Sequence, residues 1–501
     1  MKPIQSLFFL RKTLYILSLI FVLIFIGCSK DKDSNEANED LSNVDSDDIV
    51  ISLEGALQIS DFVWKGLNQY YYWQEQVSDL DDRKALNSSE YAKYINDNPE
   101  PEEFFESLKH ENDRFSYITS DYIALQNSLQ GIVASNGVEF GLSLMADGES
   151  VFGYVRYIHE NSDASDKNIE RGDIFTAVDG QDLNVNNYQD LLYGDNLTYT
   201  LSMADISENT ITPNGETVEL TKVENFEKNS IHISKTINTS GKKIGYIMYT
   251  QFVNTFNSNL NDIFAGFKSE NIDGLVLDLR YNLGGSLTAC VYLASMITGQ
   301  FTGEIFSQQV WNSKLMDYWN SNDPESLKDL FVDQMADGTG INSLNLNKVY
   351  ILTTSRSASA SELLINGLTS HIDVVQIGDT TYGKNVGSIT VHDYIDNEGT
   401  KNPDHTYAMQ PIVLKIANSA GFADYDNGLE ANVELKEDIS NMGILGEISE
   451  PLLSSAINQI TGSGKRDYKV VFPVKNILDN PKESHLQTLI IDNKKFYNQR
   501  F

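Results

Sequence analysis

The chain has 501 residues, of which 41% are hydrophobic, so it is long enough to form several packed domains. Its 71 acidic and 37 basic residues give a formal net charge of −34, which argues against nucleic acid and anionic membrane surfaces as partners. Two cysteines, Cys28 and Cys290, are too few for a disulfide framework.

The N-terminus carries an export-type segment. Basic residues precede an apolar run over residues 14–26, which is shorter than the ~20 residues a membrane-spanning helix needs. The alternative interpretation is an N-terminal membrane anchor. The stretch FIGC resembles a bacterial lipobox, which implies a signal peptide over residues 1–28 and lipid attachment at Cys28. Ser29 after the cysteine fits export to the outer membrane, so we expect a lipid-anchored cell-envelope protein, periplasmic or surface-exposed.

Two regions of different composition follow. Residues 29–52 are acidic and lack aromatic residues, as expected of a disordered tether. Residues 53–130 repeat apolar positions three and four apart, which predicts a helical N-terminal domain. An aromatic cluster over residues 70–73 fits either a packed helical core or a ligand platform.

Residues 131–225 consist of short β-type runs separated by turn signals, which predicts a β-rich domain. Here the sequence resembles a PDZ domain, because GVEFGL stands where such domains bind the terminal carboxylate of a peptide. The resemblance assigns this role to five consecutive residues: Val138, Glu139, Phe140, Gly141 and Leu142. Backbone N–H groups would hold the carboxylate while the peptide adds a strand to the sheet edge. An ordinary small β-domain with a glycine turn is the alternative.

Residues 226–462 alternate strand-like and helix-like segments, a pattern typical of βα units around a largely parallel sheet. Residues 300–345 interrupt this rhythm and are interpreted as an insertion. Residues 463–501 form a charged C-terminal tail with one strand-like run, YKVVFPV, whose role the sequence leaves open.

Within this last region, LVLDLRYNLGGSLTA places Gly284 and Gly285 between a buried strand and a helix. Glycines can adopt backbone angles closed to other residues, and such a loop can direct N–H groups toward a developing oxyanion. Two adjacent glycines by themselves favour the alternative, a simple strand-to-helix turn.

The stretch RSASASELLINGL, residues 356–368, allows two readings. Ser359 and Glu362 satisfy an S-x-x-E capping box, which would explain both residues without catalysis. Ser359 is also placed for nucleophilic attack, because it sits at a helix start between small alanines. A serine nucleophile needs a base, and no Ser-His-Asp pattern is present. Lys384 is the candidate, provided that burial lowers its pKa; a solvated lysine is the alternative.

The order LVLDLRYNLGG, SRSASASELL and VVQIGDTTYGKNVG resembles the S41 peptidases, the C-terminal processing or tail-specific proteases, over residues 131–435. The family's nucleophile and base lie 25 positions apart, a spacing that selects Ser359 and Lys384. The resemblance places the oxyanion hole at Ala360 and the Gly284–Gly285 loop. Ser388 stands where many members have a lysine-orienting glutamine, and is the candidate orienting residue. Ser370 and Leu283 replace an aspartate and a proline seen in other members.

The resemblance implies a multidomain α+β protein. It would have a helical N-terminal domain, a PDZ-like domain and an α/β protease core of ββα repeats, crotonase-like. The expected activity is that of a serine endopeptidase acting on proteins or peptides with free C-termini. A catalytically inactive peptide-binding surface lipoprotein of the same fold is the main alternative, and acyl-group chemistry on a small thioester is a third.

Two further stretches carry no expected function. HENDR, residues 110–114, lacks the spacing of a zinc site, and GSGKRD, residues 462–467, lacks that of a phosphate-binding loop. We therefore expect no metal and no organic cofactor.

Overall fold

The computed structural model describes residues 55–207, 210–463, 472 and 489–492. The predicted signal peptide, the lipidation site Cys28 and the acidic tether lie outside the described residues, and so does the YKVVFPV run except for Phe472. Among the described helices, none has the length and apolarity required to traverse a bilayer.

The first described region is helical. Its elements are α1 Ala56–Tyr70, α2 Ser88–Asn96, α3 Pro101–Ser107, the short strand β1 Tyr117–Thr119, and α4 Tyr122–Leu129. Helix α3 begins with a proline at its first turn, and the Asp121 side chain caps α4 by accepting from two backbone N–H groups. In the aromatic cluster, Tyr70 and Tyr71 are buried in the core and the next two rings are half-buried. Packing therefore explains most of this cluster.

The second region is rich in strands. Its elements are β2 Ile132–Ser135, β3 Val138–Leu144, β4 Val151–Ile158, β5 Ile174–Val178, β6 Gln181–Asp182, α5 Tyr188–Tyr193, β7 Thr198–Ser207, β8 Thr210–Thr221 and β9 Val223–Glu227. Strands β3, β4, β5, β7 and β8 form an antiparallel sheet, with β6 paired to β5, and β2 pairs with β9. The sheet and α5 share a hydrophobic core of their own.

The third region mixes helices and strands. Its helices are α6 Asn257–Glu270, α7 Leu287–Thr298, α8 Ser313–Asn322, α9 Ala360–Thr369 and α10 Pro451–Thr461. Its strands are β10 Ile231–Thr239, β11 Lys242–Tyr249, β12 Gly274–Asp278, β13 Gly285–Ser286, β14 Ile305–Trp311, β15 Lys328–Leu330, β16 Lys348–Thr353, β17 Asp373–Gly378, β18 Val386–Ser388, β19 Val391–His392, β20 Ala408–Gln410, β21 Ile412–Asn418, β22 Val433–Glu434 and β23 Leu489–Ile490.

A six-stranded sheet in the order β10-β11-β12-β16-β17-β22 organises this region. Its strands are parallel from β11 to β22, and the apolar runs of β12 and β16 are buried, as expected when both faces are covered. The chain leaves the carboxyl ends of β12, β16 and β17 toward the Gly-Gly loop, Ser359 and Lys384, respectively. Parallel pairing thus places the three predicted catalytic segments at one edge.

A second sheet has the order β13-β23-β18-β21-β14-β15. Strand β14 comes from the predicted insertion at residues 300–345 and pairs antiparallel with β21, so this part of the segment is integral to the sheet. Strand β23 comes from the predicted tail and lies between β13 and β18, parallel to both. A third, small sheet, β1-β20-β19, joins the N-terminal region to the third region.

Candidate active site

Ser359 occupies the turn between β16 and α9 in a backbone conformation that few non-glycine residues adopt, with φ 61° and ψ −112°. Its side chain is buried, and its Oγ has no hydrogen-bond partner among the described residues. Ala358 and Ala360 on either side are fully buried. A strained residue with an unsatisfied hydroxyl at a helix start is typical of a functional position rather than of a turn optimised for stability.

The predicted capping box is present at this helix start, but its two halves differ. Glu362 Oε2 accepts a 2.8 Å hydrogen bond from the Ser359 N–H. The Ser359 hydroxyl faces the first turn of α9 without completing a full hydrogen bond. Capping therefore accounts for the carboxylate and leaves the hydroxyl uncommitted.

Glu362 is fully buried and is the centre of the site. Besides Ser359, its carboxylate accepts from Thr381 Oγ1 at 2.6 Å, from the Gly383 N–H at 2.7 Å and from the Lys384 N–H at 2.8 Å. Burial raises the pKa of Glu362, and these four hydrogen bonds oppose the shift by favouring the ionised form. One carboxylate thus fixes the backbone of both Ser359 and Lys384.

Lys384 lies in the segment between β17 and β18, and its side chain is buried. Burial lowers the pKa of Lys384 to about 7, against the opposing effects of Asp113 and Glu362, while Arg114 lowers it further. The ammonium nitrogen lies 4.4 Å from the centre of the Phe115 ring. A lysine in this environment can be neutral near physiological pH, as a general base requires.

The Gly284–Gly285 loop lies against Ser359. Gly284 has φ 112°, and a Cβ atom there would lie 2.7 Å from Ser359 Cβ and 3.1 Å from the Ala360 nitrogen. Gly285 has φ 132°, and its Cβ would lie 2.2 Å from the Phe252 carbonyl oxygen. Both positions therefore require glycine. The loop is more than a simple turn, because it packs directly against the candidate nucleophile.

Asn282 connects this loop to the serine segment. Its Oδ1 accepts from the Gly284 N–H at 2.9 Å, and its carbonyl oxygen accepts from the Ala358 N–H and the Ser361 hydroxyl, both at 3.0 Å. The Gly284 N–H is therefore engaged in this conformation. Ala360 contributes the first N–H of α9, and such first-turn groups have no acceptor within their own helix.

Ser388, the predicted orienting residue, is buried in β18. Its hydroxyl donates to the Leu489 carbonyl oxygen at 3.3 Å and accepts from Gln410 Nε2 at 3.1 Å. These bonds join β18 to the C-terminal strand and to β20. The sequence shows that Ser388 follows Lys384 by four positions, but it does not predict the hydrogen bond between Ser388 and Leu489 of the C-terminal strand.

The C-terminal strand completes the surroundings of the Gly-Gly loop. Leu489 pairs with Gly285 on one side and with Gly387 on the other. Asp492 accepts from the Ser286 hydroxyl at 2.5 Å and from the Thr288 hydroxyl at 2.8 Å at the start of α7. A carboxylate at a helix N-terminus is electrostatically favourable, so Asp492 stabilises the helix that follows the loop.

The predicted peptide-binding residues lie on β3, away from this group. Val138, Glu139 and Phe140 line a cavity of about 660 Å³, together with residues at the end of α5. Gly141 packs against Tyr154 and Leu142 is buried in the sheet's core, so the structure separates these two from the cavity. Several lining residues were not anticipated: Tyr193, Lys222 and Lys228.

Glu139 in this cavity is paired. It lies 2.5 Å from Lys228 Nζ and 3.0 Å from His159 Nε2. Burial alone would raise the pKa of Glu139, but Lys228 and His159 outweigh it and hold the pKa well below its usual range.

Within the described part of the chain, no group of three or more histidine, cysteine, aspartate or glutamate side chains could hold a metal ion. Cys290 is buried in α7, and its thiol donates to the Ala360 carbonyl oxygen at 3.4 Å. Burial raises the pKa of this thiol well above its usual value, so it behaves as a core residue.

Comparison with known proteins supplies the family context. Residues 243–407 match the model of peptidase family S41, and residues 58–117 match that of the peptidase S41 N-terminal domain. The second match lies in the region that the sequence predicts only as helical, so the likeness extends further toward the N-terminus than residues 131–435.

Two curated relatives are chloroplastic processing enzymes. The chain is 23% identical over 278 residues to carboxyl-terminal-processing peptidase 2 of Arabidopsis thaliana, covering 52% of this chain and 47% of the relative. It is 26% identical over 158 residues to the C-terminal processing peptidase of Tetradesmus obliquus, covering 32% of this chain and 30% of the relative. The match therefore spans less than half the length of each relative.

A solved structure of an S41-type protein from Bacteroides fragilis NCTC 9343 has the same fold. The two align with a TM-score of 0.62 at 23% identity, over 81% of this chain and 98% of the other. The chain thus shares its fold with this protein, and it carries the N-terminal domain and the peptidase domain of peptidase family S41.

Proposed function

We propose that the chain is a serine endopeptidase in which Ser359 is the nucleophile and Lys384 the general base. The observation that carries the proposal is the Glu362 carboxylate, which holds the backbone of both residues through hydrogen bonds of 2.8 Å. The buried Ser359 hydroxyl and the lowered pKa of Lys384 support the same assignment.

The reaction proceeds in two steps. Neutral Lys384 takes the proton as Ser359 Oγ attacks the scissile carbonyl, and it returns the proton to the leaving amine. Water then attacks the acyl-enzyme and gives a proton to Lys384, which returns it to Ser359 Oγ as the acyl–oxygen bond breaks. The Ala360 N–H and the Gly284–Gly285 loop stabilise the oxyanion. For Gly284 to donate, its bond to Asn282 must be exchanged for one to the substrate.

Substrate recognition is assigned to the β-rich region. In this PDZ-like role, Val138, Glu139 and Phe140 line the cavity that would receive a substrate's C-terminal tail beside β3. The substrates of the proposed peptidase are proteins or peptides with free C-termini. The proposal also includes a lipid anchor at Cys28 and an outer-membrane location.

Cleavage of an unfolded protein by the full chain in detergent micelles tests the dyad. Ser359→Ala and Lys384→Met should each reduce kcat/KM by at least about 1,000-fold, because each removes a reacting group. Ser269→Ala and Lys348→Met, which alter exposed residues elsewhere, are the matched controls. Activity unchanged in both dyad variants would overturn the assignment.

The pH dependence and the substrate terminus provide two further readouts. Because only neutral Lys384 can accept the proton, kcat/KM should rise as pH increases through about 7. Amidation of a peptide's C-terminus should raise KM if the cavity binds carboxylates. A folded wild-type chain that binds such peptides without cleaving any would favour the inactive binding lipoprotein.

A further inference from the structure

A loop of the N-terminal region reaches the candidate base. We call residues 113–115 the DRF loop; it lies in the chain between α3 and β1. The Phe115 ring centre lies 4.4 Å from Lys384 Nζ, and Asp113 and Arg114 both influence the charge of that lysine. These residues are about 270 positions away from Lys384 in sequence and belong to a region to which the proposed mechanism gives no role.

The DRF loop is fixed from within its own region. Asp113 Oδ1 accepts from the N–H groups of Phe115 and Ser116 at 3.0 and 2.9 Å, and Oδ2 accepts from the Tyr71 hydroxyl at 2.7 Å. Tyr71 is fully buried in the helical core. The loop is therefore anchored to the buried core of the helical region, which sets the position of the Phe115 ring.

The loop is also attached to the lysine segment. Arg114 Nη2 donates to the Gly383 carbonyl oxygen at 2.8 Å, one residue before the candidate base. The Arg114 guanidinium lies 4.7 Å from the Phe115 ring centre. The Ser116 hydroxyl accepts from the Ile412 N–H at 2.8 Å on β21. The residues on either side of Phe115 in the sequence, Arg114 and Ser116, thus both bind the third region and hold the ring beside Lys384.

An aromatic face beside an amine acts in two opposite ways. It excludes water, which disfavours the ammonium form, and its negative quadrupole attracts the ammonium form. A general base passes through both forms, because it begins neutral and becomes charged as the serine loses its proton. Phe115 can therefore exclude water from neutral Lys384 before the reaction and stabilise the positive charge that develops on it during the reaction.

We propose that Phe115 is a positioning residue for the general base, holding the ammonium group of Lys384 over its ring as Ser359 is deprotonated. The inference rests on the proposed function. The charged groups facing Lys384 are Asp113 and Glu362, which favour its protonation, and Arg114, which opposes it. Phe115 supplies an apolar face beside the lysine, with its ring centre 4.4 Å from Lys384 Nζ.

The acid limb of the pH profile is the rise of kcat/KM as Lys384 loses its proton. Two substitutions of Phe115 separate the effect of excluding water from the effect of the ring quadrupole on this limb. Phe115→Leu retains an apolar wall and removes the quadrupole, so the limb should move about half to one pH unit lower. Phe115→Ala admits water, so the limb should move in the opposite direction, toward the ordinary lysine value. We expect kcat to fall about 3- to 10-fold in Phe115→Leu with KM little changed, because the ring acts on the charged transition state.

Phe301→Leu is the matched control, because Phe301 is also half-buried and its ring contacts Phe331 and His371. Its pH profile should equal that of the wild type. If both Phe115 variants lose activity only in proportion to their loss of folded protein, with the acid limb unmoved, the ring is merely structural and the inference is wrong.

A measurement without turnover keeps this inference separate from the proposed function. The full chain carrying Ser359→Ala, labelled with ¹³C-lysine, can be titrated by NMR, with Lys384→Arg identifying the Lys384 signal. Phe115→Leu and Phe115→Ala in this background should shift that titration in opposite directions. If the Lys384 titration shifts as expected but the wild-type chain cleaves no substrate, the protease assignment is wrong and the contact between Phe115 and Lys384 stands. If the Lys384 titration does not shift but the wild-type chain cleaves through Ser359 and Lys384, only the inference about Phe115 is wrong.

Discussion

Glu362 and Glu437 are both buried carboxylates, but their hydrogen-bond donors differ in charge. Glu362 accepts from three backbone N–H groups and one hydroxyl, all neutral. Glu437 lies 2.7 Å from the Arg171 guanidinium and 3.1 Å from that of Arg280. Burial would raise the pKa of Glu437, but the two arginines outweigh it and lower the pKa to about 2. Glu362, without an arginine, has its pKa raised.

The difference separates a chemical role from a structural one. In the proposed mechanism Lys384 accepts a proton, which an arginine beside Glu362 would repel. Neutral donors hold the carboxylate and leave its negative charge to favour protonated lysine. The Glu437 cluster joins Arg171 of the β-rich region to Arg280, which follows β12, and needs only to be stable. Arg280 also contacts Asp278 and Glu450, so one guanidinium is surrounded by three carboxylates.

The largest expected effect on stability comes from removing that guanidinium. Arg280→Met leaves Asp278, Glu437 and Glu450 buried without their shared cation, so the free energy of unfolding should fall by about 3–5 kcal/mol in urea titrations. Arg83→Met, which breaks an exposed ion pair with Asp81, is the control and should leave stability unchanged. Equal stability of the two variants would contradict the role of the cluster.

The second prediction concerns pH. The pKa of Glu437 is lowered to about 2 in the fold from an ordinary 4.5, so its stabilising effect is present above pH 4.5 and is lost as pH falls toward 2. The free energy of unfolding of the wild type should exceed that of Glu437→Gln by up to about 3 kcal/mol at pH 7, with the gap closing in acid. A gap independent of pH would show that the arginines do not act through the charge of Glu437.

Glu362→Gln should affect catalysis more than stability. Its amide would present hydrogens where N–H donors already point, so the backbone of Ser359 and Lys384 would shift apart. We expect kcat/KM to fall by about 100-fold, as is common for small displacements of reacting groups. Glu447→Gln, which alters a surface pair with Lys235, is the control. Full activity in Glu362→Gln would refute the role of Glu362 in holding the backbone of Ser359 and Lys384.

The smallest effect is expected for Tyr281→Phe. The Tyr281 hydroxyl lies 2.7 and 2.8 Å from the Glu437 oxygens and accepts from Arg171 at 2.8 Å. Its loss should reduce the free energy of unfolding by about 1 kcal/mol, since the ionic partners remain. Peptidase activity at 25 °C should be unchanged. A loss of activity without a loss of stability would indicate that this cluster also serves the chemistry.

The sequence predicts Ser359 and Lys384 as a catalytic pair because each lies in a short motif that resembles those of the S41 peptidases, at the family's spacing of 25 positions. Asp113 and Phe115 could not be identified, because their contact with Lys384 depends on how the helical region packs and not on any local pattern. The HENDR stretch includes Asp113 and Arg114, but a loop that places an aromatic ring on a lysine has no characteristic residue spacing. Arg280 likewise shows no sign in DLRYN that carboxylates more than 150 residues away will surround it.

The position of β23 has a consequence for folding. Leu489 must meet Gly285 and Gly387 across about 200 and 100 residues of intervening chain, and contacts of such long range form slowly. Until they form, β13 and β18 each present an unpaired strand edge beside the candidate catalytic segments. Open edges pair readily with any extended chain, including another copy. Refolding yield should therefore decline with protein concentration, and peptidase activity should return later than helical circular dichroism.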